Sequence, residues 1–390
     1  MNSGKTIFSQ ILEFIPWRQF NLCVEKYHGD KKVVYLKCHE FFRVMLFAQI
    51  TGRKSLSDII VCLNSRSKYL YHIGIKRQIS KSNLSHANNT RTWKIFYDFA
   101  QELRAEVKKL YKRTQLKKCQ LNACVYALDS TTINLCLSLF PWATFRKTKS
   151  AVKAHTLLDL NHNIPNFVLI SKGISDDVSV MDNVIWEAGS WYVMDRAYVD
   201  FERLYCLHTS QAWFVTRGKV NMKYKRVYSA LVDKSKGILC DQRVRLCGER
   251  TRKKYPELIR RVKFVDGETG KKLIFLTNNM TVEAETIAKL YKNRWHVELF
   301  FKWIKQHLCV QSFFGRTSNA VKSQLWIAVC AYLLLSIIKK RLGLTQSYYE
   351  ILQILGINVF VKTPILSLFG DDDYTSNSPP MNNQLELFHF

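Results

Sequence analysis

One short stretch of this sequence carries residue types at a spacing that could do chemistry. In "YKNRWHVELFFKWIK", residues 291–305, a single acid, Glu298, stands among aromatic and basic residues. On a helix turning about 100° per residue, four possible hydrogen-bond donors fall within about 40° of this acid. They are Tyr291, Arg294, Lys302 and Lys305. The opposite side carries Leu299, Phe300, Trp303, Ile304 and Leu308. The pattern predicts one helix over residues 291–308, with a buried apolar face and a carboxylate on the other side.

Two more acids follow apolar runs that are typical of strands. Asp129 ends "CVYALD" and Asp195 ends "WYVMD". Alone, Glu298 fits a solvated face with i,i+4 ion pairs worth about 0.3–0.5 kcal/mol, and each Asp fits a turn or a helix cap. Together, two acids at strand ends and one on a later helix fit a carboxylate cluster for Mg²⁺. Two such ions could activate one oxygen and stabilise another in phosphodiester cleavage or exchange.

The elements that must position these acids divide the chain into several parts. Residues 1–118 predict an all-α domain, including a helix capped by Ser55. Within it, "IKRQISKSNLSHANN" (residues 75–89) fits either a helix-turn-helix that enters a DNA groove or an ordinary solvated surface. From residue 119 the pattern becomes α/β, with an antiparallel start and parallel additions.

We predict that this α/β catalytic domain comprises residues 119–218 and 273–345, interrupted by a mostly β insertion at 219–272. A helical extension at 346–369 and a disordered polar tail at 370–390 follow. Two helices are expected beside the strands. "DDVSVMDNVIWEA" (residues 176–188) fits one, and Thr281 fits the cap of the other, which precedes the Glu298 stretch.

Charge and cysteine usage limit the classes of function. The net charge is +28, and residues 1–118 carry 23 Lys and Arg against 8 Asp and Glu, which favours double-stranded nucleic acid as a partner. Eleven cysteines without a CxxC pair argue against a disulfide framework or a zinc module. The longest apolar run, Leu325–Ile338, is shorter than a membrane span and fits a core helix. We expect a cytoplasmic, nucleoid-associated protein with no membrane partner.

The motifs resemble those of the DDE transposases of bacterial insertion sequences, in particular the IS-four family. "ALDSTTI", "VMDRAYVDF" and the spacing Tyr291, Arg294, Glu298, Lys305 match that family, whose Y-R-E-K signature is met at all four positions. The resemblance extends over nearly the whole chain. It implies an RNase H-like catalytic fold with a β insertion before the third acid.

By this resemblance, Asp129, Asp195 and Glu298 hold two Mg²⁺ ions, which Mn²⁺ can replace. Tyr291, Arg294 and Lys305 would bind phosphates of the transposon end, and Lys302 joins them from the helix geometry alone. The implied activity is cut-and-paste transposition: water attack at the terminal inverted repeats, then joining of the freed 3′-OH to target DNA. A homodimer is expected in the synaptic complex.

The sequence departs from the family in two places. Relatives form a DNA hairpin with the help of an aromatic side chain of the insertion, and here no tryptophan stands there, so the role would fall to Tyr224, Tyr228 or Tyr255. "SDDVSV" has Asp176 and Asp177 where relatives often have His before Asp, and both are interpreted as structural or metal-adjacent. His155, near the first acid, is more typical of a structural histidine than of a catalytic one.

The tail ends in "QLELF", which resembles the pentapeptide that docks bacterial proteins on the sliding clamp. Its anchors would be Gln384, Leu385, Leu387 and Phe388; the alternative is an apolar end that packs back on the protein. For the whole chain, two other functions remain open. They are a catalytically silent DNA-binding regulator and a general RNase H-like nuclease.

Overall fold

The structure is a computed structural model that describes residues 4–111, 121, 123–136, 138–146, 149–172, 176–219, 222–267, 269–308 and 312–370. The described part up to residue 111 contains seven α-helices and one 3₁₀ helix, Tyr71–Ile73, and no strand. The helices there are α1 (Ile7–Glu13), α2 (Trp17–Lys26), α3 (Cys38–Ile50), α4 (Leu56–Asn64), α5 (Ser67–Leu70), α6 (Lys81–Thr90) and α7 (Trp93–Tyr111). Ser55 caps α4 as predicted, because its side chain accepts a hydrogen bond from the Asp58 N–H.

The remaining helices lie beside or after the strands. They are α8 (Phe201–Thr209), α9 (Glu249–Lys254), α10 (Ala284–Asn293), α11 (Trp295–His307), α12 (Ser318–Arg341) and α13 (Tyr348–Ile357). The long apolar run lies in α12, which is long and apolar enough to cross a membrane, yet 89% of its most apolar window is buried inside the protein. Helices α3 and α7 pack against it. The predicted core helix is therefore present, and the amino-terminal helices share one hydrophobic core with it.

In the part of the chain that the structure describes, ten strands form one sheet. They are β1 (Val125–Leu135), β2 (Thr144–Arg146), β3 (Lys149–Asp159), β4 (Ile164–Lys172), β5 (Trp191–Met194), β6 (Trp213–Arg217), β7 (Tyr224–Ala230), β8 (Ile238–Leu246), β9 (Ile259–Val265) and β10 (Lys272–Thr277). The order is β2-β3-β1-β5-β6-β10-β9-β8-β7, with β4 paired to β3. The antiparallel start and the parallel additions are as predicted, since β1, β3 and β4 are antiparallel neighbours and β5 and β6 run parallel to β1. The strands of the insertion continue this sheet through β10 rather than forming a separate one.

The centre of the sheet brings the two predicted aspartates together. β1 pairs with β5 in parallel up to Leu128 and Met194. Asp129 and Asp195 are the next residues on the two strands, and paired strands lie about 4.8 Å apart. Asp195 follows the last residue of β5 as predicted, whereas Asp129 lies within β1, which continues along β3 to Leu135. The end of pairing with β5, not the end of the strand, places Asp129 at the edge.

Three local predictions were wrong. Residues 176–188 contain only a 3₁₀ helix, Val178–Asn183, instead of an α-helix. Helix α10 is capped at Glu283, not at Thr281, whose N–H and hydroxyl bond to the Asn279 side chain. In residues 75–89 the helix α6 begins at Lys81, and the six residues before it are not helical, so the short first helix expected there is absent.

Candidate active site

Arg294 joins two of the three predicted acids. Its Nη1 donates to Asp129 Oδ2 at 2.7 Å, and its Nη2 donates to Glu298 Oε1 at 2.6 Å. Both hydrogen bonds are charge-assisted, which makes them short and strong. The contacts connect the end of the β1–β5 pairing to the first turn of α11, which packs against β1. The carboxylates that the sequence singled out therefore converge on one guanidinium.

Tyr291 connects Asp195, the remaining acid, to the same group. Its hydroxyl donates to Asp195 Oδ1 at 3.3 Å, and the Arg294 guanidinium carbon lies 5.7 Å from the centre of its ring. Asp195 Oδ1 also accepts the Arg196 N–H at 2.7 Å, which fixes the carboxylate at the start of a 3₁₀ turn. Asp129, Asp195 and Glu298 thus lie around one pair of donors, although they are far apart in the chain.

The predicted single helix over residues 291–308 is two helices with a tight turn at Arg294. The Arg294 N–H bonds to the Tyr291 carbonyl and the Val297 N–H to the Arg294 carbonyl, which is the i to i+3 pattern of a 3₁₀ turn. Arg294 itself keeps right-handed helical angles, φ −54° and ψ −29°. The turn changes the hydrogen-bond pattern without reversing the chain, so Tyr291, Arg294 and Glu298 still point to one place.

The apolar face of α11 differs from the prediction. Phe300 and Leu308 are buried as expected, but Leu299 is 43% exposed, so its predicted place in the core was wrong. Val297 and Phe301 are buried instead of it. The buried face of α11 is therefore rotated about the helix axis, away from Leu299 and toward Val297 and Phe301. Trp295, the first residue of α11, is 58% exposed.

Burial makes the charge on Asp129 costly. It raises the pKa of the Asp129 carboxyl to about 6, because the Arg294 guanidinium and the Ser130 N–H lower the pKa by less than burial raises it; Glu298 and Asp195 add smaller increases. The side chain of Asp129 is 18% exposed and that of Glu298 36% exposed, so the site opens toward solvent on the Glu298 side. The cluster has more negative charge than one arginine can balance.

The side chains of this site offer the type of ligand that a hard divalent cation binds, but their present spacing does not suit one. Carboxylate oxygens are the ligands that Mg²⁺ prefers, and three carboxylates with unbalanced charge face this site. Among the described residues, however, no three His, Cys, Asp or Glu side chains lie close enough to hold one ion. Arg294 lies between Asp129 and Glu298 and separates them. These residues fit a cation once Arg294 has another anion to bind.

The two predicted lysines lie further along α11, away from these contacts. Lys302 is exposed. Lys305 is partly buried, and this burial lowers the pKa of its ammonium group. Both lysines lie on the same helix as Glu298, as the sequence predicts. Neither is joined to the acids by a contact described in the structure.

A second polar group lies behind Asp129, on the other face of β1. Asp177 accepts a hydrogen bond from the Ser130 hydroxyl at 2.8 Å and pairs with Lys153 at 3.3 Å. His155 is fully buried there, and burial lowers the pKa of its imidazole to about 4, so it is neutral at pH 7. The structural interpretation of His155 therefore fits its position. Sequence reasoning missed Ser130 and Lys153, because the strand register that opposes them to His155 and Thr132 is not readable from the sequence.

The insertion tyrosines divide into one buried, one partly buried and one exposed ring. Tyr255 is fully buried, and its hydroxyl lies 2.8 Å from His208 Nδ1, so it is not available to stack on a base. Tyr224 is partly buried under the Arg261 guanidinium. Tyr228 is 54% exposed on β7, with Arg243 5.5 Å from its ring centre. The predicted clamp anchors Gln384, Leu385, Leu387 and Phe388 lie outside the described residues.

Known proteins resemble the chain over the region that contains this site. The family model described as "Transposase DDE domain" matches residues 120–334, and a "Domain of unknown function (DUF4372)" matches residues 3–76. A putative transposase, y4zB, of Sinorhizobium fredii is 32% identical over 67% of this chain and 71% of the relative. A probable transposase for insertion sequence element IS5377 of Geobacillus stearothermophilus is 31% identical over 61% of this chain and 63% of the relative.

A third relative is more distant. A putative transposase for insertion sequence element IS4SA of Synechocystis is 26% identical over 68% of this chain and 74% of the relative. The matched domain implies the RNase H-like fold for the sheet and the helices around it, a DNA substrate, and the use of divalent metal ions that is general in this family. The matched domain exceeds half of the chain and contains Asp129, Asp195 and Glu298. The chain belongs to the DDE transposases of insertion sequences, and it is an enzyme of DNA strand cleavage and transesterification.

Proposed function

We propose that the protein binds the terminal inverted repeats of its own insertion sequence and catalyses Mg²⁺-dependent cleavage and strand transfer by cut-and-paste transposition. The observation that carries the proposal is the convergence of Asp129, Asp195 and Glu298 on Tyr291 and Arg294. Phosphodiester chemistry of this kind needs carboxylates for cations and donors for phosphate in one place. The finer assignment to the IS-four family rests on the Y-R-E-K spacing.

Asp129, Asp195 and Glu298 are the proposed ligands of two Mg²⁺ ions. When bound, the ions would supply activation of the attacking oxygen and stabilisation of the leaving oxygen. The raised pKa of Asp129, about 6, supports this role, because a buried carboxylate with too little counter-charge gains from a divalent partner. Mn²⁺, which also takes oxygen ligands, is expected to substitute.

Arg294 and Tyr291 are the proposed phosphate-binding donors. In the free protein both bind the site acids. A DNA phosphate offers the arginine two oxygens in a geometry that suits its planar fork. We infer that Arg294 exchanges Asp129 for phosphate when DNA enters, which frees the carboxylate oxygens for the cations. Lys305 and Lys302 would extend the phosphate contacts along α11.

A second DNA contact is proposed on the edge of the insertion. In β7 and β8, Lys225 lies directly opposite Arg245, and like charges in this relation are destabilising. Neither forms an ion pair with any other described residue, and Tyr228 is exposed beside Arg243. The phosphates of a DNA duplex would relieve this repulsion. Tyr228 is the tyrosine of the three that is free to stack on a flipped base, if a hairpin is formed.

The test of the proposed function is cleavage of a labelled transposon end in Mg²⁺. We expect a nick with a 3′-OH at the inverted repeat, and then joining to target DNA. Glu298→Ala should abolish both, whereas Glu285→Ala is a matched control, because Glu285 also forms an i,i+4 ion pair, with Lys289 at 2.6 Å, but lies away from the acids. Cleavage that survives Glu298→Ala would refute the assignment.

The same assay separates the alternatives. A silent regulator would bind the end and leave it intact at every Mg²⁺ concentration. A general nuclease would cut unrelated duplexes as fast as the inverted repeat. The proposed transposase prefers its own ends and transfers the freed strand.

We also propose two partners. A homodimer would hold two ends in the synaptic complex, and sedimentation with and without labelled ends tests it: two chains should assemble with DNA. "QLELF" would dock on the bacterial sliding clamp. Leu387→Ala with Phe388→Ala should remove clamp pull-down and leave cleavage intact. Unchanged pull-down would exclude this partner.

A further inference from the structure

The two faces of β1 carry different chemistry at adjacent residues. Successive side chains of a strand point to opposite faces, so Asp129 faces α11 and Ser130 faces the other side of the sheet. The structure follows this rule, since Asp129 bonds to Arg294 whereas Ser130 bonds to Asp177. The face behind the candidate active site is thus occupied by a polar group that the proposed chemistry does not use.

Asp177 is the centre of this rear group. It precedes the 3₁₀ helix Val178–Asn183 and reaches back to the sheet. Its Oδ1 accepts hydrogen bonds from Ser130 Oγ at 2.8 Å and Lys153 Nζ at 3.3 Å, and His155 Nδ1 lies 3.7 Å away. His155 Nε2 is held by the Ser171 hydroxyl at 2.9 Å. Side chains of two strands, β1 and β3, therefore surround one carboxylate.

Lys153 neutralises the negative charge of the Asp177 carboxylate. The pair is mostly buried, with 14% of the Lys153 side chain and 28% of the Asp177 side chain exposed. An unpaired negative charge behind Asp129 would add to the repulsion that Glu298 and Asp195 already exert on it. With Lys153 present, Asp177 can form hydrogen bonds near the site without that cost.

Ser130 is the link between the two faces. Its hydroxyl donates to Asp177, and its backbone N–H donates to Asp129 Oδ1 at 2.8 Å. A residue held at its side chain has a fixed backbone, and a fixed N–H orients the carboxylate that it bonds. Groups that orient a metal ligand from behind affect metal affinity or activity by about 10–100-fold when they are removed.

We propose that Asp177 is a positioning residue for Asp129, acting through Ser130 to hold that carboxylate ready for a divalent cation. The inference rests on the proposed function of Asp129. Asp177 touches neither substrate nor the site acids in this structure, so it is not proposed as a catalytic residue.

The test compares Asp177→Ala, Ser130→Ala and the double variant. Two quantities are measured on folded full-length protein: Mn²⁺ binding with the DNA end bound, by electron paramagnetic resonance against a DNA-only blank, and the Mg²⁺ concentration for half-maximal cleavage. We expect each single variant to weaken Mn²⁺ binding about tenfold or more. The double variant should be no weaker than the worse single one, because both changes break the same link. Binding of the DNA end in EDTA should be unchanged.

Two further variants separate positioning from general stability. Asp177→Asn keeps an oxygen that can accept the Ser130 hydroxyl, so we expect it to restore most of the Mn²⁺ affinity. Asp182→Ala is the matched control, because Asp182 lies on the same 3₁₀ helix and pairs with Arg203 at 2.7 Å away from β1. It should change neither quantity.

The outcomes are distinct for the two proposals. Normal Mn²⁺ binding in folded Asp177→Ala, an equal loss in Asp182→Ala, or additive losses in the double variant would each overturn the positioning role. Asp129→Ala tests the foundation separately. If that variant binds Mn²⁺ and cleaves normally, the proposed function of the site fails, whatever Asp177 does.

Discussion

Two arginines of this protein bind carboxylates in mostly buried places, and they do so in different ways. In the insertion, Arg260 Nε and Nη2 bind both oxygens of Asp241 at 2.8 and 2.7 Å, and its Nη1 donates to the Val282 carbonyl. In the candidate active site, Arg294 divides its two terminal nitrogens between Asp129 and Glu298, and its buried Nε has no hydrogen-bond partner among the described residues.

The difference separates a structural ion pair from the pair in the proposed active site. Arg260 and Asp241 have one charge each, and every guanidinium nitrogen is bonded, so the pair is complete. Arg294 faces two acids directly and a third through Tyr291, so the group keeps excess negative charge and an unused donor. A complete pair gains nothing from a ligand, whereas an incomplete one gains from both a cation and a phosphate.

The largest effect that separates the two pairs is on catalysis. Glu298→Gln removes a proposed cation ligand with little change of shape, and we expect cleavage of the transposon end to fall by at least about a hundredfold. Asp241→Asn makes the same kind of change in the insertion pair and should leave the cleavage rate per folded molecule within about twofold. Single-turnover cleavage at saturating Mg²⁺ measures both. Similar rates for the two variants would remove the distinction.

The sequence predicted which residues come together better than it predicted their local geometry. The two strand runs and the helical spacing of Tyr291, Arg294 and Glu298 were enough to select the residues that the structure brings together. The turn at Arg294 was not predictable, because every residue from 284 to 307 is compatible with one helix and tertiary contacts to the sheet decide where it tightens.

The order of the strands was the less predictable part of the fold. Apolar runs identified β1 and β5, but nothing local shows that β10 pairs with β6 and joins the insertion to the central sheet. The same limit hid the link from Asp177 to Ser130, which depends on a long-range contact across the sheet. The spacing of apolar residues predicts individual helices and strands, whereas the register of a strand and its neighbours in the sheet depend on the whole fold.

The second prediction concerns stability. Arg260→Ala leaves Asp241 mostly buried without its partner, and we expect the free energy of unfolding to fall by about 3–5 kcal/mol, with or without Mg²⁺. Arg294→Ala should also destabilise the metal-free protein, but Mg²⁺ should restore most of the loss, because the acids it exposes are the proposed cation ligands. Urea unfolding in EDTA and in Mg²⁺ measures the difference. Equal rescue of both variants would contradict the comparison.

The third prediction is a pH dependence of the incomplete pair. Burial raises the pKa of Asp129 from 3.8 to about 6, so its protonated form is favoured in the folded state. This contribution to stability is present below about pH 4 and is lost as the pH rises through 6. In EDTA, the wild-type protein should therefore lose about 2–3 kcal/mol relative to Asp129→Asn between pH 4 and 7. Parallel unfolding curves for the two proteins over this range would show that Asp129 titrates normally.

The smallest effect is expected at Lys302. This lysine shares the helix face of Glu298 but contacts none of the three acids in the described structure. If the lysines of α11 beyond Arg294 bind DNA, Lys302→Ala should leave the free energy of unfolding unchanged, since the side chain is exposed. It should weaken binding of all duplexes alike and reduce the slope of log affinity against log salt by about one, as expected for the loss of one phosphate contact. Lys253→Ala is the control, because Lys253 is an exposed lysine of the insertion paired with Glu249. An unchanged salt slope would show that Lys302 does not contact phosphate, and would limit the proposed DNA contacts of this region to Tyr291, Arg294 and Lys305.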